Sequence, residues 1–323
     1  MATRFGGPCT ADSRTNGMIC SMQVIGREAS VSEIPRRDDA SKVRCRQIGA
    51  ADGDAIANLL AEGFPSRSRA YWTRALEMLS QRPLLDGYPR YGYMLECAEK
   101  AVGAILLLFS KTRHSGEIRC NGSSWYVAPA FRGAGLSLLM RTLKHQAVHT
   151  NVTPAPHVVP ILEALGYQRF CKGLFAAAPS LAGPVGRTKI VRVLDAPNPG
   201  DGAPTDDLRL LLDHARFGCL SLWCETQGEG APFIFRRRFV RALSVIPAAQ
   251  LIYCDSIDQL ARFAGPIGRY LALRGMPFII TPANGPIRGL PGKYFDDKPM
   301  YFRGGQPPRV GDLAYTEMAL FGI

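Results

Sequence analysis

The 323-residue chain has no apolar run approaching the ~20 residues that cross a bilayer as a helix. The longest, Ala101–Phe109, is the size of a strand. The N-terminus lacks the apolar core of a signal peptide. A membrane partner is therefore not expected, and a cytoplasmic location is. Metal ligands are short too. The nine cysteines are scattered, at positions 9, 20, 45, 97, 120, 171, 219, 224 and 254, and no two have CxxC spacing. His145 and His149 are four apart, but no carboxylate or cysteine stands close by to complete a site. No metal is expected, and an odd, scattered cysteine set suits a reducing compartment.

What is present is ordinary globular composition, 46% hydrophobic and 20% charged. The length suggests two domains. The formal net charge of +12 favours anionic partners: nucleic acid, a membrane surface or a polyphosphate. The densest basic run, Arg236–Arg238 with Arg241, lies inside an apolar frame of Phe233, Ile234, Phe235, Phe239 and Val240. That pattern suits a strand with charges on its solvated side. It lacks the basic and aromatic spacing of a nucleic-acid groove, so nucleic acid is not expected as a partner.

Residues 1–42 are rich in Gly, Ser, Arg and Asp without periodicity and are expected to be a flexible leader. Then strands are expected at Val43–Ile48, Tyr91–Ala98, Ala101–Lys111, Ile118–Val127, Val148–Val152 and Gln168–Ala177, the last closing the sheet. Helices are expected at Ala51–Glu62, Ser68–Ser80, Gly135–Gln146 and Pro156–Leu165, the last stopped by Gly166. Leu136, Leu139, Met140 and Leu143 form the expected buried face of the third. The order predicts an α/β (α+β) fold, a mixed sheet with helices on both faces, over residues 43–182. Residues 183–206 crowd glycine and proline and form the expected linker. Residues 207–323 return to helices and strands, including a strand, long helix, strand series at Ala249–Pro282 and a final strand at Leu313–Phe321.

The chemistry-bearing stretch is Ser124–Ser137. A strand ends, a loop carries Gly133 and Gly135, and a helix begins at once. The glycines allow close backbone approach. The N–H groups of the first helical turn have no partner of their own and, with the helix dipole, favour an anion such as a pyrophosphate.

Here the chain resembles the GNAT N-acetyltransferase superfamily, whose loop Arg/Gln-x-x-Gly-x-Gly/Ala follows a strand. It stands as Arg132-Gly133-Ala134-Gly135-Leu136-Ser137, with Ser137 in place of the last Gly or Ala. The family's helix followed by Gly-Phe is matched by Ile161–Leu165 with Gly166-Tyr167. The resemblance covers nearly half the chain. It implies that Arg132–Ser137 binds the pyrophosphate of acetyl-CoA or another acyl-CoA as co-substrate, that Trp125, Tyr126 and Val127 offer backbone bonds to the pantetheine arm, and that Ser137 adds a phosphate contact. It implies an acyltransferase acting on a small-molecule or peptide amine, or a hydroxyl. Two departures stand out. The family's acidic tyrosine is replaced by Leu162, and no carboxylate occupies the usual base position, where Asn121 lies. The candidate catalytic carboxylates are Glu117, at the start of that strand, and Glu317. With period two, Tyr315 and Glu317 would share a strand face and line an acceptor pocket between the domains. The second half lacks the loop, since Asp255-Ser256-Ile257-Asp258 stands at its strand-to-helix junction, and is expected to be a degenerate GNAT-like domain. An acyl-CoA sensor without turnover and an aminoacyl-tRNA-dependent transferase remain as alternatives.

Overall fold

A computed structural model describes residues 43–113, 115–183, 188–193, 203–240 and 246–322. The expected leader lies outside them. Among the described residues there are two seven-stranded mixed sheets.

The first sheet takes β1 (Arg44–Gln47), β2 (Gly92–Cys97), β3 (Lys100–Lys111), β4 (Ile118–Val127), β5 (Val148–Asn151) and β6 (Gln168–Cys171). A two-residue turn at Ala98 and Glu99, both left-handed, joins β2 to β3. β3 is buried on both faces, and its side chains alternate between two cores. Ala104, Leu106 and Leu108 face α1 (Gly53–Gly63) and α2 (Arg69–Ser80). Ile105, Leu107 and Phe109 face α3 (Gly135–Thr142) and α4 (Val159–Ala164). Ile56, Leu59 and Leu60 form the buried stripe of α1. Ser68 caps α2 by accepting from the Tyr71 N–H at 3.2 Å.

The second sheet takes β7 (Gly173–Ala177), β8 (Thr188–Arg192), β9 (Leu220–Thr226), β10 (Glu229–Val240), β11 (Ile246–Cys254), β12 (Phe278–Ala283) and β13 (Gly292–Phe295). β8 and the start of α5 (Thr205–Arg216) fall within the expected linker. On the sheet's outer face α6 (Ile257–Ala272) buries Leu260, Phe263, Ile267 and Leu271. Its inner face shares one core with the first sheet, which holds Trp223, Ile234 and Ile252 together with Leu60, Trp72 and Leu106.

The halves exchange strands. The expected closing strand at Gln168–Ala177 breaks at Lys172: β6 stays in the first sheet, while β7 pairs between β12 and β13 of the second. In return β14 (Met300–Arg303) inserts between β5 and β6. Both sheets consequently show one order, with the inserted strand always borrowed: β1-β2-β3-β4-β5-β14-β6 and β8-β9-β10-β11-β12-β7-β13. A cut at 182, the boundary expected from composition, would part β7 and β14 from the sheets that they join.

The expected strand at Leu313–Phe321 is a different structure. Tyr315 is left-handed at φ 59°, and α7 (Glu317–Leu320) is a single helical turn. Buried apolar residues at 313, 314 and 318–321 left no period-two alternation for a half-exposed strand. His214 of α5 holds the turn. It is fully buried, donates from Nδ1 to the Leu210 carbonyl at 2.9 Å, and accepts at Nε2 from the Tyr315 N–H at 3.1 Å.

Acceptance at Nε2 requires neutral imidazole, and burial brings its pKa down to about 4. The unfolded chain takes up this proton near pH 6.5, whereas the folded one resists until about pH 4. Stability should therefore fall by roughly 3 kcal/mol as pH drops through that window, and His214→Gln should flatten the fall in urea titrations. Equal acid sensitivity in both proteins would contradict the assignment.

Candidate active site

β4 and β5 run parallel for three pairs, Arg119↔Val148 to Asn121↔Thr150, and then β4 continues alone to Val127. On its other edge Ala104 pairs with Tyr126 and Leu106 with Ser123, so Ser124 and Trp125 bulge opposite Ile105. Ser124 is left-handed at φ 52°. The free edge and the bulge form one side of a wedge-shaped opening between β4 and β5.

The Gly-containing loop lies at the mouth of that opening. Pro129–Ala134 forms a 3-10 turn that runs straight into α3. Arg132 and Gly133 are exposed, and a Cβ at Gly133 would meet only open space. Gly135 is different: a Cβ there would stand 3.3 Å from Val127 Cγ2. That close approach fixes the rotation of α3. Leu138 and Leu139 are buried, and Leu136 and Met140, expected inside, are about half exposed. α3 also ends at Thr142, earlier than expected. Ser137 donates its hydroxyl proton to the Ala134 carbonyl at 2.6 Å, so it tightens the loop and keeps only acceptor capacity for a ligand. Trp125 lies against Gly135, and Tyr126 covers Gly63 and donates to Glu62 at 3.1 Å. Burial, with the Glu62 charge behind it, pushes the Tyr126 hydroxyl up to about 12.

The two candidate carboxylates are not together. Glu117 sits outside β4 and accepts from the Ser115 hydroxyl at 3.0 Å. Glu317 is fully buried, where Asn121 Nδ2 and the Thr153 hydroxyl donate to it. Burial raises its pKa, against both donors. The α7 turn thus brings a carboxylate from far along the chain to the side of Asn121, to which Thr150 also donates at 3.1 Å. Leu162 is buried among Cys120, Leu138 and Tyr301, so a phenol at that site would overfill a packed core.

The same wedge exists in the second half and is closed. β11 pairs with β12 over Ala248–Gln250 and carries an extra residue, Ile252, opposite β10. Its remaining edge is occupied by the chain itself. Leu313 N–H donates to the Ile252 carbonyl at 2.8 Å, and Cys254 N–H to the Gly311 carbonyl at 3.1 Å. At the junction Ser256 caps α6, accepting from the Gln259 N–H at 3.1 Å.

No protein-family profile matches the sequence, and no curated protein matches it. Solved structures do. A candidate acetyltransferase from Pyrococcus horikoshii is 14% identical, covers 90% of this chain and 97% of its own, and superposes with a TM-score of 0.53. A GCN5-related N-acetyltransferase from Anabaena variabilis is 11% identical, covers 81% and 72%, and gives 0.57. A conserved protein of Enterococcus faecalis, a candidate N-acyltransferase, is 14% identical, covers 84% and 73%, and gives 0.52. The chain has the GNAT fold. Its two sheets share one strand order, and the similarity to these proteins covers 81–90% of the chain.

Among the described residues no group of histidine, cysteine, aspartate and glutamate is placed to hold a metal, and no helix is long and apolar enough to cross a membrane. His145 bonds Tyr93 through Nε2 at 2.8 Å, and His149 Nε2 lies 3.1 Å from the His145 carbonyl. Sequence reasoning missed the closed second wedge and the His214 clamp. A buried histidine gives no sequence signal apart from its apolar helical neighbours.

Proposed function

We propose that the chain is an acyl-CoA-dependent acyltransferase with one active site, in the first half, acting on an amine. The observation that carries this reading is the difference between the two wedges: one is open beside the Gly133–Gly135 turn, and its counterpart is filled by residues 311–313. The turn at Gly133–Ser137 holds the pyrophosphate through the N–H groups that its own hydrogen bonds leave over, with Arg132 at the rim; the Gly135 N–H is spent on the Arg132 carbonyl. The free edge of β4 at Trp125–Val127 pairs with the pantetheine amides, and the bulge at Ser124 directs an N–H toward the thioester carbonyl.

The acceptor enters from a cavity of about 740 Å³ between the sheets, lined in part by Arg119, Asp312 and Tyr315. Glu317 accepts a proton from the attacking amine, directly or through water, as the C–N bond forms. The C–S bond then breaks, and the departing thiolate is protonated by water, because Leu162 offers no phenol. A neutral amine attacking a thioester needs mainly positioning, so the missing acid is tolerable.

Calorimetry tests the cofactor half of the reading. CoA should bind with one site per chain, and Gly133→Asp, which meets no neighbour, should weaken binding tenfold or more, at ~1.4 kcal/mol per decade. Two equivalent sites, or a mutant that binds like wild type, would remove the loop assignment. Release of free thiol from acetyl-CoA with an amine separates an enzyme from a sensor.

A further inference from the structure

The cavity between the sheets is more cationic than an ordinary amine site should be. Its lining carries Arg82, Lys111, Arg113, Arg119, Arg209 and Arg216 against three carboxylates, Asp206, Asp213 and Asp312. Half of the cations are engaged. Arg119 pairs with Asp312 at 3.0 Å, Arg113 with Asp207 at 2.6 Å and Asp255 at 2.8 Å, and Arg216 lies 3.8 Å from Asp213. Among the described residues, Arg82, Lys111 and Arg209 have no carboxylate in ion-pair range.

Arg82 is the informative one, because it is half-buried and held in place. It follows the end of α2, where Arg90 Nη1 donates to the Ser80 carbonyl at 2.6 Å and the Arg82 carbonyl at 2.7 Å. Its own Nη2 donates to the Phe109 carbonyl at 2.7 Å, and its guanidinium lies 5.6 Å from the Tyr315 ring. That uses one of five N–H donors. Burial lowers its pKa to about 10, with Tyr315 and Asp213 opposing, so it remains a cation at neutral pH. Asp213 supports that charge from a distance but makes no ion pair with it: the carboxylate accepts from the Tyr315 hydroxyl at 2.9 Å and lies 3.8 Å from Arg216. Burial and the Asp213 charge push the Tyr315 hydroxyl well up, and Arg82 and Arg209 oppose that rise. A desolvated cation with unspent donors beside a cavity is costly unless an anion completes it.

We propose that the acceptor carries a carboxylate or phosphate apart from its reacting amine, and that Arg82, with Arg209, binds this anion. The inference rests on the acyltransferase reading above and names the substrate class of that site. The anion lies beside Tyr315, two residues before Glu317 in the chain.

Initial rates of thiol release from acetyl-CoA test it, with β-alanine, 4-aminobutyrate and 2-aminoethyl phosphate compared against ethylamine and propylamine. At least one anionic amine should exceed its uncharged partner at least tenfold in kcat/KM. The carboxylate and phosphate arms identify the anion, and the length series gives its distance from the amine. Arg82→Gln should remove the preference, chiefly through KM, while leaving KM for acetyl-CoA and the propylamine rate unchanged. Arg209→Gln repeats the test should Arg82→Gln fail to fold. Equal use of anionic and uncharged amines by wild type, or a preference that survives both substitutions, would overturn the proposal and leave the transferase reading standing. If no amine releases thiol, the transferase reading fails and a binding measurement decides the inference. CoA-saturated protein titrated with acetate and with inorganic phosphate should then bind one of them through Arg82, and absence of binding in wild type overturns it.

Discussion

Residues 43–182, expressed alone, should not fold. Composition makes this segment look like a complete domain, but its sheet is completed by β14, which lies between β5 and β6. Without β14 those two strands present unpaired edges to water, and Met300 and Tyr301, each 1% exposed, vanish from the core. β7 fares worse, because both of its partners, β12 and β13, belong to the removed half. The tail is lost as well: Leu313, Met318, Leu320 and Phe321 pack in the core with Ile56, Leu60 and Trp72. Each such side chain contributes ~1.5–3 kcal/mol when buried, and a domain's whole margin is ~5–15 kcal/mol. The fragment should be insoluble or bind hydrophobic dye without a cooperative transition. Residues 203–322 alone should behave similarly, and co-expression of residues 43–202 with residues 203–323 should rescue both as a complex. A cooperative melt and a dispersed NMR spectrum from 43–182 alone would show that the exchange is dispensable.

The exchange also marks where the sequence could be read and where it could not. α1 and α2 announced themselves through Ile56, Leu60, Trp72 and Leu79 at helical spacing, and β3 through a continuous apolar run. The Gly133–Gly135 loop was legible because strand end, glycines and helix start are adjacent in the chain. Partner choice was not legible. β7 and β14 are short strands whose composition says only that they are buried, and nothing local tells β7 that its neighbours lie a hundred residues ahead. The face of α3 was misread for a related reason. The contact of Gly135 with Val127 sets the helix rotation, and a tertiary contact of that kind overrides the apolar pattern of Leu136 and Met140. Glu317 was picked out of the tail for its chemistry, on the expectation of a strand. It lies beside Asn121 and Thr153 on a helical turn, which is clamped by a histidine from another element.

Glu317→Gln should lower kcat by ~10²–10⁴, the range a general base contributes, without weakening CoA binding. The substitution is nearly isosteric. Asn121 can still donate to the remaining carbonyl oxygen, and the Thr153 hydroxyl can turn to accept from the new amide. Positional changes should therefore be small, and the loss falls on proton transfer. Two signatures separate this from damage to the fold. The first is the acid limb of kcat/KM. Burial raises the Glu317 pKa, so wild type should lose activity below a midpoint above the ordinary carboxylate range, and that limb should be absent from the mutant. The second is stability. A carboxyl whose pKa is raised on folding contributes most when protonated, below its unfolded pKa near 4.3. That contribution fades as pH rises through the folded value, because the folded protein then holds a buried charge. Replacing it with an amide should leave Tm at pH 8 equal or higher, with the advantage shrinking toward pH 4. An active-site group retained at a cost to stability has this profile. A mutant that is slower and also markedly less stable at pH 8, with its acid limb intact, would make Glu317 a structural tie between the tail and β4 and would return the base role to water.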